Sequence, residues 1–344
     1  MHRADGLIIR KAVRVATRLL CVGLVIGLLG TVSWFAYHAL RSNVSLTDAQ
    51  WPPLVLAIVL HFLVLFLLLF SWERLLALFW VSPGDQTDKP TRVSLYRAYS
   101  RSWLARYIPG RVWALGGRLL LVNRLGVPTE AVARSMALEF IFSYGMLAIL
   151  GAALVVSTVV QPLVGAGTVV IGVVVAAVGI PVAQKMLACG NTQVYRNHSW
   201  YRVQHFIHRL FVGERPLSWW DTIRATGLYG ISSCLQLTFI VFLAESFVNL
   251  TLGQAVAVAG AWALSTCFGY FVFLAPAGIG VRDGLALALF SQVLDVPTAG
   301  LVVAASRVVM VATDLCFVAI IEALATSLRI KRKVFGPAIG IEAS

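Results

Sequence analysis

The chain has 344 residues, of which 59% are hydrophobic and only 12% are charged. A soluble domain carries about 25% charged residues. Several apolar runs reach the length that crosses a bilayer core, so we predict an all-α polytopic membrane protein with about seven or eight transmembrane helices. The composition excludes a soluble globular domain.

The net charge of +13 indicates contact with a membrane surface and not with nucleic acid. The basic residues lie between apolar runs, as in cytoplasmic loops, where anionic lipid headgroups attract Lys and Arg. Alternate connecting segments are basic, namely the amino-terminal tail, residues 72–133, residues 188–222 and the carboxy terminus. The pattern predicts a multi-pass protein of the cytoplasmic (inner) membrane with both termini in the cytoplasm.

Seven apolar runs are long enough to be full spans, at about 19–40, 54–71, 134–157, 163–187, 223–247, 255–274 and 300–328. Between the last two lies a shorter apolar piece, 281–294, which as helix would be only about 21 Å long. We expect it to begin inside the membrane. Residues 1–344 are predicted to form a single transmembrane domain, in which residues 188–222 are a basic cytoplasmic loop.

Two apolar stretches are interrupted by proline, glycine and arginine. The first contains Tyr107-Ile108-Pro109-Gly110-Arg111, and the second runs Ala275-Pro276-Ala277-Gly278-Ile279-Gly280-Val281-Arg282-Asp283. Paired interruptions in the two halves of a membrane protein point to a binding site near the midplane. Arginine beside freed backbone N–H groups indicates an anionic ligand. We therefore predict broken or re-entrant segments near 103–122 and 275–294, with an in-plane amphipathic helix as the alternative for the first.

The same residues carry a family resemblance. The run Ala105–Trp113, followed by Gly116, Arg118, Leu125-Gly126-Val127 and Glu139, and the run Ala275–Gly284 resemble the lysylphosphatidylglycerol synthase transmembrane-region family, also called flippase-like proteins. The resemblance covers nearly the whole chain. Asp283 stands where the family more often has Glu, and Ala277 where a second Gly is common.

The resemblance implies that the protein moves a lipid bearing phosphate across the membrane, either an anionic phospholipid or a polyprenyl-phosphate-linked lipid. In two-domain members of the family, a soluble synthase domain makes the lipid that the membrane region moves. This chain ends at Ser344, just after the last predicted span. We therefore expect any lipid modification to come from a separate enzyme.

The expected headgroup-binding residues come from the two interruptions and from the basic segment beside the first. They are Tyr107, Pro109, Gly110, Arg111, Arg118, Gly278, Gly280, Arg282 and Asp283. For Asp283 we favour a salt bridge with Arg282 over direct contact with the ligand. Arginine provides the bidentate phosphate contacts, and glycine allows the headgroup to approach the backbone.

Ionisable residues inside apolar spans are functional candidates by default. Glu139 is expected either to pair with an arginine of the groove or to carry a coupling proton. Arg307 and Asp314 lie seven residues apart on one helix face. They are expected to form a structural pair, directly or through a neighbouring helix, or else a polar track along the last span. Glu245 is expected at the solvated interface.

No catalytic motif, metal-ligand spacing or cofactor motif stands out, so we expect a protein without enzymatic activity, metal or cofactor. The alternatives are a membrane-embedded glycosyltransferase or other lipid-modifying enzyme, and a non-transporting accessory to such an enzyme. A glycosyltransferase would need acidic residues in an outer loop, and the first such loop offers only Asp48.

Overall fold

The computed structural model of the protein describes residues 49–80, 90–107, 112–159, 164–175, 217–271 and 280–335. Helices fill most of these residues, and no strand occurs among them. In chain order they are α1 (Trp51–Phe79), α2 (Arg92–Leu104), α3 (Val112–Asn123), α4 (Thr129–Val159), α5 (Val164–Val175), α6 (Trp219–Glu245), α7 (Leu252–Phe271), α8 (Val281–Phe290) and α9 (Val296–Phe335), with a 3₁₀ turn (Ala105–Tyr107) after α2. The predicted all-α class is confirmed.

Five of the described helices, α1, α4, α6, α7 and α9, are long and apolar enough to cross a membrane. Helix α5 is apolar but shorter. The protein is therefore a multi-pass membrane protein. The predicted span at 19–40 lies outside the described residues, as do residues 176–216, which include most of the predicted loop at 188–222.

Three spanning helices, α1, α4 and α9, extend beyond both ends of the apolar runs that predicted them. Helix α1 continues past Ser71 to Phe79 and buries Trp72, Leu75 and Leu76. The side chains of this last part pack on protein, so the helix continues where a hydropathy pattern set by lipid contact has ended.

Five helix termini lie together at one end of the bundle, which we call the Glu245 end. Helices α1, α7 and α9 begin there, and α6 and α8 finish there. The backbone N–H of Gln50 donates to Ser246 O at 2.8 Å, joining the start of α1 to the end of α6. The side-chain amide of Gln254 donates to Val293 O at 3.2 Å, joining the start of α7 to the turn after α8.

Helices α2 and α3 form a hairpin that enters the bundle from the opposite end, which we call the Glu322 end. Arg97 and Arg101 on α2 bind Glu322 on α9 at 2.7 and 2.6 Å. Tyr107, at the tip of the hairpin, instead donates to Asp314. Asp314 lies eight residues before Glu322 on the same helix, which is about 12 Å further into the bundle. This geometry favours the re-entrant interpretation of residues 103–122.

Helix α8 is half-length. Its ten residues make about 15 Å of helix, and it finishes at the Glu245 end, so it begins part-way through the bundle as predicted. The helix is shorter than the predicted 281–294, because a turn follows Phe290, with Leu294 N–H donating to Phe290 O at 2.8 Å. Gly280, at its start, has φ +91°, a conformation that glycine adopts at little steric cost.

Helix α7 connects α8 to the rest of the bundle through close packing. A Cβ atom at Gly151 on α4 would lie 2.4 Å from the Cβ of Ala263 on α7, so these two backbones approach as only a glycine permits. On another face of α7, the buried ring of Trp262 stacks on Phe290 of α8 at a centroid distance of 6.4 Å. These contacts fix the depth at which α8 begins.

Candidate functional site

The two interrupted segments meet on the same stretch of α9. The hairpin tip reaches Asp314 through Tyr107, and the start of α8 reaches Arg307 through Asp283. Arg307 and Asp314 are seven residues apart, or about 10 Å along the helix. We call the residues around this stretch the central polar cluster; it consists of Arg106, Tyr107, Arg282, Asp283, Arg307 and Asp314.

Asp314 is completely buried and is held by three donors from the hairpin. Arg106 and Tyr107 both donate to its Oδ2, and Trp103 Nε1 donates to Oδ1 at 3.0 Å. The guanidinium of Arg106 also lies 4.4 Å above the ring of Trp103. The hairpin tip is therefore attached to α9 by a buried ion pair with its hydrogen bonds largely satisfied.

Asp283 connects the start of α8 to α9. Its Oδ1 accepts a hydrogen bond from Arg307 Nε at 2.7 Å, and its Oδ2 accepts one from the backbone N–H of Gly280 at 3.3 Å. The predicted salt bridge between Asp283 and Arg282 is wrong. Neighbouring residues on a helix point about 100° apart, so these two side chains diverge. The predicted link between Arg307 and Asp314 is not direct either, since each binds a different segment.

Arg282 is buried, with 6% of its surface exposed, and no described carboxylate binds it. Its guanidinium lies 4.1 Å above the ring of Trp262, and its Nη2 is 3.4 Å from the sulfur of Met310. Its Nε has no hydrogen-bond partner among the described residues. A Cβ at Gly269 would lie 2.5 Å from the Cβ of Arg282, so α7 holds this side chain closely. Among the described residues, the charge of Arg282 therefore contacts an aromatic ring face and a thioether sulfur.

Within the part of the chain that the structure describes, further buried polar atoms near Arg282 lack hydrogen-bond partners. Trp262 Nε1 and Thr266 Oγ1, one turn apart on α7, are both unpaired, and so is Nε of Arg106. Arg106 binds Asp314, and Arg282 contacts Met310 one turn earlier on α9, so both guanidinium groups lie against the same part of that helix. A buried donor without an acceptor costs about 1–3 kcal/mol. Donors of this kind beside a buried cation suit an anionic ligand, which would accept their hydrogen bonds and neutralise the charge.

The charges of the central polar cluster do not balance. Arg106, Arg282 and Arg307 contribute three positive charges, whereas Asp283 and Asp314 contribute two negative ones, so the described cluster carries a net charge of +1. An unpaired charge is expensive to bury in a low-dielectric interior. One negatively charged phosphate oxygen would bring the net charge of the cluster to zero and accept hydrogen bonds from the N–H groups that lack a described partner.

Arg118 and Glu139 form a second buried polar group, nearer the Glu322 end. Arg118 Nη1 donates to Glu139 Oε2, and Arg118 Nε donates to Ser102 Oγ at 3.2 Å. The guanidinium also lies 4.2 Å above the ring of Tyr99, whose hydroxyl donates to Glu139 Oε1 at 3.1 Å. Of the two roles expected for Glu139, the structure shows the ion pair with an arginine. Arg118 is engaged by Glu139, and the Tyr99 ring beneath it stacks on Trp103, which binds Asp314, at a centroid distance of 5.7 Å.

The Tyr99 side chain helps to hold the Glu139 carboxylate of this second group in place. Burial raises the pKa of the Tyr99 phenol well above 10, and the neighbouring Glu139 raises it further. Tyr99 therefore remains a neutral donor to that carboxylate. Together with Arg118, it fastens α2, α3 and α4 to one another at the base of the hairpin.

Four of the predicted headgroup residues, Pro109, Gly110, Arg111 and Gly278, lie outside the described residues. Conversely, the predicted headgroup-binding residues did not include four described residues that surround Arg282. These are Arg106, Trp262, Thr266 and Met310. A signal was present for two of them, because Trp262, Thr266 and Gly269 recur at helical spacing on one face of α7.

Comparison with known proteins yields no relative: the chain matches no protein-family model, no curated protein and no solved structure. The resemblance carried by the two interrupted segments thus stays a prediction. The chemistry that the site can perform follows from its residues. Within the described part of the chain, no group of three or more His, Cys, Asp or Glu side chains is placed to hold a metal ion.

Proposed function

We propose that this protein is a lipid flippase or transporter that moves a phosphate-bearing anionic lipid across the cytoplasmic membrane. The lipid is an anionic phospholipid or a polyprenyl-phosphate-linked lipid, and a separate enzyme modifies it where modification occurs. The observation that carries the proposal is the buried guanidinium of Arg282, which binds no described carboxylate and lies beside N–H donors without a partner among the described residues. Both chain termini lie on the cytoplasmic side in this proposal.

The physics of headgroup transfer supports this choice. An isolated anion costs tens of kcal/mol to bury in a medium of low dielectric constant. A transporter must therefore offer the headgroup a polar site part-way across while the acyl chains remain in lipid. The half-length helix α8 begins part-way through the bundle, and Arg282 is its second residue. Arginine suits this role because its planar fork binds phosphate in a bidentate manner and its charge persists when it is buried.

Three other arginines of the two polar groups, buried or partly buried, supply a contrast that sharpens the proposal. Arg106 binds Asp314, Arg118 binds Glu139 and Arg307 binds Asp283. Each of these pairs joins two segments of the fold. Arg282 forms no such pair with a carboxylate of the described residues, so its charge remains available to a ligand.

Reconstituted vesicles test the proposal. Purified protein is placed in liposomes with a trace of fluorescent phosphatidylglycerol, and the fraction of label reached by an external quencher is followed over time. We expect wild-type protein to expose inner-leaflet label faster than protein-free vesicles. Arg282→Gln should slow this transfer at least tenfold, the effect of losing about 1.4 kcal/mol of headgroup binding in the rate-limiting state. Arg111→Ala, in the other interruption, is expected to slow it as well.

The control is Arg224→Gln, which removes the same charge from an exposed position on α6. It should transfer lipid at the wild-type rate. Wild-type rates in both Arg282→Gln and Arg111→Ala, with correctly folded protein, would exclude the proposed headgroup site.

A further inference from the structure

A cavity lies at the Glu245 end, between the start of α1 and the end of α6. Its volume is about 370 Å³, which lies in the usual range for small-molecule pockets. Apolar side chains of both helices line it together with one carboxylate, Glu245, and two carboxamides, Gln50 and Asn249. Because α8 separates this end from Arg282 by about 15 Å of helix, the cavity is distinct from the central polar cluster.

Glu245 is half-buried in this cavity, and no described cation forms an ion pair with it. Its neighbours, in contrast, already have donors. Ser246 O accepts from Gln50 N–H at 2.8 Å, and Asn249 Oδ1 accepts from the Gln50 side-chain amide at 3.2 Å. Glu245 is also the last residue of α6, where the negative end of the helix dipole opposes a carboxylate. The end of α6 thus carries a carboxylate at a position where the helix dipole disfavours negative charge.

We propose that this cavity binds a primary ammonium group, with Glu245 as its anionic partner. An ammonium group supplies three N–H donors and one positive charge. The carboxylate offers two acceptor oxygens, and the Asn249 carbonyl oxygen keeps a second lone pair for the same ligand. The bound cation also offsets the unfavourable position of Glu245 at the end of α6.

The composition of the cavity distinguishes this ligand from other cations. A divalent metal ion such as Ca²⁺ takes six to eight oxygen ligands, generally with several carboxylates. Quaternary ammonium groups are recognised by cages of aromatic rings, whereas Phe242 is the single aromatic side chain in this lining. Trp51, 71% exposed, begins α1 beside the cavity, as expected of a residue at headgroup level. An ethanolamine lipid headgroup presents its ammonium at that level, and a soluble amine reaches it from water.

Lipid binding to the full-length protein, measured by native mass spectrometry from detergent, tests the proposal. The two probes are phosphatidylethanolamine and phosphatidylcholine, which carry the same phosphate but differ in N–H donors. We expect wild-type protein to bind the ethanolamine lipid about tenfold more tightly, the effect of one charged hydrogen-bonded contact. Glu245→Gln should reduce this preference to below about twofold, because it retains shape but removes the charge.

Two control variants separate this site from other effects. Asp295→Asn removes a carboxylate from the same end of the bundle, where Asp295 caps α9 through Thr298 N–H at 3.0 Å. Arg282→Gln alters the central polar cluster alone. Both should keep the tenfold preference of the wild type, the latter even if the proposed transport function fails. An unchanged preference in Glu245→Gln, or none in the wild type, would overturn the proposal.

A competition arm identifies the source of the ammonium group. Millimolar ethanolamine is added to the wild-type protein bound to phosphatidylethanolamine. Displacement of the lipid supports a site that accepts a soluble amine as well. Retention of the lipid supports a site that reads the ammonium group only as part of a lipid headgroup.

Discussion

Replacing Arg118 by methionine should lower the free energy of unfolding, whereas replacing Arg282 by methionine should leave it unchanged or raise it. Both arginines are buried, with 7% and 6% of their surfaces exposed. They differ in the partner left behind: Arg118→Met abandons Glu139, which is itself 9% exposed, whereas Arg282→Met abandons no bound carboxylate. The comparison therefore measures whether the charge of Arg282 is neutralised within the fold.

The magnitudes follow from the contacts. Breaking a buried ion pair by removing one partner costs about 3–5 kcal/mol, and we expect Arg118→Met to lose this amount. Arg282→Met gives up a cation–π contact with Trp262, worth about 1–2 kcal/mol. The substitution also removes two terms that destabilise the wild type. These are the unpaired Nε, which costs about 1–3 kcal/mol, and the desolvation of the buried charge. The free energy of unfolding of Arg282→Met should therefore equal that of the wild type or exceed it by up to about 2 kcal/mol.

Unfolding in mixed detergent micelles, followed by tryptophan fluorescence, provides the assay. A second measurement adds phosphatidylglycerol, which should stabilise the wild type more than Arg282→Met, since a ligand that binds only the folded state raises its stability. A loss of 3 kcal/mol or more in Arg282→Met, matching that in Arg118→Met, would refute the reasoning. It would show that the fold itself neutralises Arg282.

Two further substitutions examine the attachment of the hairpin and of α8. Asp314→Asn leaves the buried Arg106 without its carboxylate, so the free energy of unfolding should fall by about 3 kcal/mol, measured in the same micelles; an unchanged value would contradict the ion pair at the hairpin tip. Gly269→Ala places a Cβ 2.5 Å from the Cβ of Arg282, and such overpacking costs about 1–3 kcal/mol. It should also slow lipid transfer in vesicles, whereas Gly253→Ala, with nothing within 4 Å of the new Cβ, should do neither.

The sequence predicted the helical class and the positions of the breaks because both depend on local chemistry. Long apolar runs must satisfy their own backbone hydrogen bonds in lipid, which leaves the helix as the solution. The apolar piece from Val281 was too short to span, and the structure confirms that α8 begins part-way through the bundle. Hydropathy placed the helix ends less well, as at Phe290, where a turn stops α8 four residues before the predicted end.

The partners of the charged side chains were predicted less well, because a pairing depends on which helices become neighbours. Asp283 was assigned to Arg282, the adjacent residue, although adjacent positions on a helix do not face each other. The structure assigns it to Arg307, 24 residues later. Arg106 was not among the predicted headgroup-binding residues, yet it reaches Asp314 across 208 residues. Nothing in the periodicity of either segment specifies that the hairpin lies against α9.

By itself, then, the sequence determined that this chain is a helical membrane protein with two broken segments rich in arginine. Those features follow from the free-energy cost of exposing backbone polar groups and charges to lipid. That cost depends on the residues of each segment and not on its neighbours in the fold. Only the tertiary structure decided which arginine keeps an unneutralised charge. That outcome depends on which side chains the packing of the helices brings to Arg282. Asp283 binds Arg307 instead, and the guanidinium of Arg282 lies against the ring of Trp262.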